Sequence, residues 1–141
     1  MTMRSMLLLV LLTALLTGCA GSSGDLRGSW LLVQRQGEDL DVGDPPGPGD
    51  IVKVLCDDRF AFGSQNEPGE VFGGGGSWRR DGDTYVETIR YHTHPELVGA
   101  VAVFDCRVED GVWHHVGRFE SGGQRYAIDE VWRKLDEEGD R

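Results

Sequence analysis

The stretch VFGGGGSWRRDGDTY (Val71–Tyr85) places four consecutive glycines between aromatic residues and runs into an Asp-Gly turn. Three readings compete for it: a phosphate-cradling loop, a flexible linker, and a strand whose side chains have been removed. A Walker-type loop needs Gly-Lys-Ser/Thr at its end and opens a helix. Here Gly76-Ser77 is followed by Trp78 and a strand pattern. A linker would not carry aromatic residues on both flanks. The strand remains, with Phe72, Gly74, Gly76 and Trp78 alternating onto one face. Glycine in such a strand permits a sharp bend or leaves room on the buried side.

Outward from this stretch, apolar and aromatic residues keep coming in short runs separated by Gly, Asp, Asn and Pro. Eight strands are predicted, over residues 28–36, 51–57, 59–64, 71–80, 84–93, 100–109, 112–120 and 125–135. The segment 37–50 is rich in proline and glycine and is expected to be irregular. The Asp-Gly pairs at 81–82 and 110–111 are hairpin turns, because Asp-Gly readily takes positive φ. Short turns make sequential strands antiparallel neighbours, and a meander that buries one face tends to close because closure removes its edges. The expected fold is all-β, an antiparallel up-and-down barrel of about eight strands over residues 28–135. PELVGA (95–100) is expected to add one helical turn, and 136–141 form a charged tail.

Ahead of the barrel, Arg4 precedes an apolar run from Met6 to Leu16 and then Cys19. That is the layout of a secretory signal, shorter than the roughly 20 residues a transmembrane helix needs. LLTGC (15–19) resembles the lipobox of bacterial lipoproteins. The resemblance implies a signal peptide over 1–18, diacylglycerol on Cys19, a tether over 19–27 and a lipid anchor in the bacterial envelope. Ala20 after the cysteine favours the outer membrane where the cell has one. Without 1–18 the chain loses Arg4, leaving thirteen basic residues against twenty-four acidic ones, a net charge of about −11. Nucleic-acid binding relies on neutralising phosphates with Lys and Arg, so no nucleic-acid partner is expected.

GSW (28–30), RFAF (59–62), GGGGSW (73–78), GDTYVETI (82–89), PELVGA (95–100) and IDEVWRK (128–134) resemble, in that order, the bacterial lipocalin-like domains of the calycin group. The resemblance implies a small barrel with an internal cavity. It also implies that Trp30 plugs the closed end, with Arg133 or Arg125 packed over its ring.

Strand alternation predicts which side chains point inward. The sets are Trp30 and Leu32; Tyr85, Glu87, Ile89 and Tyr91; Ala102, Phe104, Cys106 and Val108; Trp113, His115 and Phe119; Tyr126, Ile128, Glu130 and Trp132. Glu87 and Glu130 stand among apolar neighbours, and a buried carboxylate needs a partner, a proton or a polar ligand. The candidate ligand-binding residues are Trp78, Tyr85, Glu87, Tyr91, Phe104, His115, Glu130 and Trp132. His92 and His94 share a strand face but make only half a metal site, and are expected outward in solvent with no metal. Cys56 and Cys106 form an even pair that either bridges in an oxidising compartment or stays as two thiols, since their strands should face each other across the barrel. No nucleophile–base motif or complete metal set points to catalysis, and no cofactor is implied. The expected function is a monomeric, lipid-anchored binding protein that carries or senses a small, partly apolar ligand. The alternative is an envelope interaction module whose barrel is filled by its own side chains.

Overall fold

The computed structural model describes residues 24–135. The predicted signal peptide, the expected lipidation site at Cys19, the first part of the expected tether and the charged tail lie outside the described residues.

Nine strands run in chain order: β1 (Gly28–Arg35), β2 (Glu38–Asp39), β3 (Val52–Cys56), β4 (Arg59–Glu67), β5 (Glu70–Asp81), β6 (Thr84–His92), β7 (Val101–Glu109), β8 (Val112–Ser121) and β9 (Gln124–Lys134). One short 3-10 turn, Pro95–Leu97, lies between β6 and β7. Apart from β2, each strand pairs antiparallel with its sequence neighbour, and β9 returns to β1 through Trp30↔Lys134 and Leu32↔Trp132. The result is a closed eight-stranded antiparallel barrel. The ninth strand, β2, folds back on Gln34 and Arg35 through a turn at Gln36-Gly37, so part of the segment expected to be irregular is paired. At the β7–β8 hairpin, Asp110 (φ 50°) and Gly111 (φ 73°) both take the left-handed conformation that a two-residue turn requires.

The interior divides into two halves. At one end Trp30, Leu55, Tyr85, Cys106 and Trp113 are buried, with Leu26 over them. Trp30 and Trp113 meet edge to face with centroids 5.5 Å apart, a geometry the ring quadrupoles favour. Residues 24–27 seal this end: Trp30 Nε1 donates to the Leu26 carbonyl at 2.7 Å and the Arg80 guanidinium donates to the Gly24 carbonyl at 2.8 Å. The cation over Trp30 is Lys134, 5.0 Å from the ring centroid, and not Arg133 or Arg125. The alternation that turns Trp132 inward also turns Lys134 inward and Arg133 outward.

Three register shifts interrupt the pairing; one lies at the end of β4, between Gln65 and Glu67, and the other two are β-bulges that reset the alternation beside the cavity. On β6, Gly75 pairs with Tyr91 and Gly76 with Ile89, so Arg90 is extra. Arg90 and Tyr91 therefore both face outward and His92 turns in. Tyr91 is 56% exposed, which removes it from the interior where alternation alone placed it. On β1, Val33 is extra opposite Trp132 and Val131, and Arg35 turns toward the barrel mouth. The glycine run makes the first bulge possible: a Cβ on Gly76 would run into the Thr88 carbonyl oxygen and stand 2.9 Å from the Arg90 nitrogen. A Cβ on Gly74 would lie 2.6 Å from the His92 ring. At these two positions the missing side chains leave room for the bulged backbone of β6 and for the His92 ring.

Cys56 on β3 is exposed and Cys106 on β7 is buried, and both are free thiols. β3 and β7 lie four strands apart around the barrel, which keeps the two from bridging.

Candidate functional site

The other end of the barrel holds a cavity of about 200 Å³. Its walls come from the mouth-side halves of the eight barrel strands and from Leu97 of the 3-10 turn. Most of the lining is apolar, including Ile51, Phe62, Ile89, Phe104, Ile128 and Trp132.

Buried polar groups interrupt this lining in three places. The first is an ion pair: Lys53 Nζ donates to Glu87 Oε1 at 2.7 Å, with side chains only 5% and 9% exposed. The Tyr85 hydroxyl donates to the same oxygen at 2.8 Å. Four rings surround the ammonium, those of Trp132 (5.0 Å), Trp113 (5.3 Å), Phe60 (5.4 Å) and Phe62 (5.9 Å). Their negative faces offset part of the hydration the cation has lost. The Tyr85 hydroxyl is held well above the usual phenol range, by burial first and then by the Glu87 charge and hydrogen bond.

The second polar group is Glu130. Trp132 Nε1 donates to its Oε2 at 3.1 Å, and the half-exposed Arg35 guanidinium reaches its Oε1 at 3.4 Å. Each inward carboxylate thus has a cation and one ring-borne donor.

The third is His115, 1% exposed and stacked on Phe104 with centroids 3.8 Å apart. Its Nδ1 is buried without a hydrogen-bond partner. Burial, and then the Lys53 charge, push this imidazole well below the usual histidine range, so it is neutral at pH 7.

The mouth is aromatic. Phe119 and Tyr126 stack at 4.9 Å, and Phe72 contacts His92 at 5.5 Å and His94 at 5.6 Å. His92 Nδ1 accepts the backbone N–H of His94 at 2.8 Å, and burial followed by the neighbouring His94 lowers the His92 pKa. Both histidines border the cavity mouth: the β6 bulge turns His92 inward, and His94, just past the strand, stays largely exposed. Among the described residues no three His, Cys, Asp or Glu side chains are grouped to hold a metal.

Of the eight residues expected to bind a ligand, Glu87, Phe104, His115, Glu130 and Trp132 line this cavity. Tyr85 stands behind it, holding Glu87. Trp78 packs against Tyr85 at the sealed end, with centroids 5.8 Å apart, and does not reach the cavity. Tyr91 lies outside the barrel. Sequence reasoning missed Lys53, although Ile51, Lys53 and Leu55 alternate onto one face and place a lysine between two inward apolar residues.

No family model and no curated protein matches the chain. A solved structure of an uncharacterized protein from Bacteroides eggerthii aligns with it at 15% identity and a TM-score of 0.44, covering 75% of this chain and 99% of that one.

Proposed function

We propose that this chain is a lipocalin-like, calycin-type binding protein, anchored in the bacterial envelope through a lipid on Cys19, that carries or senses a compact and largely apolar molecule. One observation carries the reading: the barrel is packed solid at one end and hollow at the other, and the hollow has apolar walls with a few fixed polar groups. Small-molecule sites have that composition. The volume of about 200 Å³ is below the range of roughly 300–1,000 Å³ that drug-sized ligands occupy, so the ligand is small. The lining's one amine–carboxylate contact, Lys53 with Glu87, is enclosed by apolar and aromatic walls, an arrangement we read as serving carriage or sensing.

Titration with benzyl alcohol, followed by tryptophan emission, tests this. Trp132 lines the cavity and reports occupancy. Ala102, buried in the wall, gives the control: Ala102→Leu fills space and should abolish the response, with a cooperative thermal transition showing that the variant still folds. An identical response in the variant would put the binding elsewhere.

A second reading, an envelope interaction module, has one observation in its favour. Val101, Val103 and Val116 are each about half exposed on the outer face of β7 and β8.

A further inference from the structure

The chain has two lysines, Lys53 and Lys134, against twelve arginines. One of the two is buried in the cavity wall beside a carboxylate. Had the position needed only a permanent positive charge for Glu87, arginine, the commoner choice in this chain, would supply it with more donors. What lysine adds is a primary amine that can lose a proton and form a covalent bond.

We propose that Lys53 captures a compact aldehyde or ketone as a protonated imine, so that the cavity is a site for carbonyl compounds. The inference rests on the binding reading above and assigns the ligand's class. The condensation balances within the residues present. The Lys53 ammonium passes a proton to Glu87 Oε1, 2.7 Å away. The free amine attacks the carbonyl carbon; the C–N bond forms, the C=O π pair moves to oxygen, and oxygen takes the proton from Glu87. The carbinolamine nitrogen then returns a proton through Glu87 to the hydroxyl, the C–O bond breaks and water leaves. The product is an iminium with one N–H and one positive charge, so an ammonium and a neutral carbonyl have become an iminium and water.

The surroundings suit both ends of this reaction. Lys53 is already balanced by Glu87, and Arg35 by Glu130, so a charged ligand would bring an uncompensated charge into an apolar wall. A neutral carbonyl brings none, and the iminium leaves the count unchanged. The four rings that face the ammonium would face the iminium equally well. The Tyr85 hydroxyl, bonded to the Glu87 oxygen that shuttles the proton, keeps that oxygen directed at Lys53.

The test uses the full chain, benzaldehyde and sodium cyanoborohydride near pH 7, with benzylation read at each lysine by peptide mass mapping. Lys134 is an internal reference, since it lies at the sealed end and donates to the Asp25 and Arg27 carbonyls. Native protein should label Lys53 about tenfold or more faster than Lys134, because the bound carbonyl is held next to the amine. The ratio should fall to about one in denaturing urea, where that proximity is gone. Glu87→Gln should slow Lys53 labelling in folded protein, and Lys53→Arg should leave the Lys134 rate unchanged. Labelling of Lys53 no faster than Lys134 in the native wild type overturns the proposal, and that measurement needs no variant. Benzyl alcohol separates the two levels of inference, because it cannot condense. If alcohol and aldehyde both change tryptophan emission without selective Lys53 labelling, the binding reading stands and carbonyl capture fails. If neither probe changes it and Lys53 is not selectively labelled, both fail.

Discussion

Replacing Lys53 with methionine keeps most of the length of the side chain and removes its charge. In the folded protein the Lys53 and Glu87 side chains are 5% and 9% exposed and 2.7 Å apart, so the pair is shielded from water. Glu87 would be left with the Tyr85 hydroxyl alone. Stranding one member of a buried pair costs about 3–5 kcal/mol, a large share of the roughly 5–15 kcal/mol that holds a domain folded. Glu87→Gln strands the ammonium instead, and the expected cost is of the same order, reduced by the surrounding rings. The double variant Lys53→Met/Glu87→Gln strands nothing, and a neutral amide can still accept the Tyr85 hydroxyl proton. It should recover at least about 2 kcal/mol relative to the sum of the single losses. Urea unfolding followed by tryptophan emission measures all four corners of the cycle at one pH. Single losses under about 1 kcal/mol, typical of exposed pairs, or losses that add within about 0.5 kcal/mol, would refute the claim that these charges are buried against one another.

Three further outcomes are expected. Gly76→Ala should lower stability by about 1–3 kcal/mol or more, because the new methyl meets the Thr88 carbonyl; Gly47→Ala, which has open space around it, should change it by less than about 0.5 kcal/mol, and similar thermal midpoints for the two would contradict the β6 packing. Burial and the Lys53 charge keep His115 from taking a proton in the folded state, whereas the unfolded chain takes it below pH about 6.5. Stability from this group is therefore complete above that pH and falls on acidification by up to about 1.4 kcal/mol per pH unit; urea midpoints at about pH 7.5 and pH 5.5 measure it, and His115→Phe should flatten the slope. Cys56 should react with a thiol reagent in native protein while Cys106, buried and with its pKa raised chiefly by that burial, waits for unfolding; peptide mapping of the labelled chain decides, and simultaneous labelling would contradict their placement.

The barrel was legible because its evidence is local. Each strand alternates, each turn carries Gly or Asp, and the predicted strand limits fall within a few residues of the observed ones. The inward positions of Glu87, His115, Glu130 and Trp132 followed from the same two-residue period. What alternation cannot carry is a change of phase. The bulges at Arg90 and Val33 each shift the period by one residue; Val33 bulges against β9 at the far end of the chain, and Arg90 against glycines of β5 that carry no side chain to mark the phase. Tyr91 was misplaced for that reason, as was His92, and Arg35 went unnoticed at the mouth. Lys53 was missed differently: its phase was readable from Ile51 and Leu55, but a lysine inside a barrel becomes plausible only once Glu87 is known to lie across from it.

The seal at residues 24–27 also gives the molecule a direction. Residues 24–27 enter the barrel at its blind pole, opposite the rim around His94 and Leu97. Under the anchored-carrier proposal, cargo would then reach the rim from the aqueous side, without sideways passage out of a bilayer. A molecule small and water-soluble enough to diffuse there unaided is what such a cup could collect.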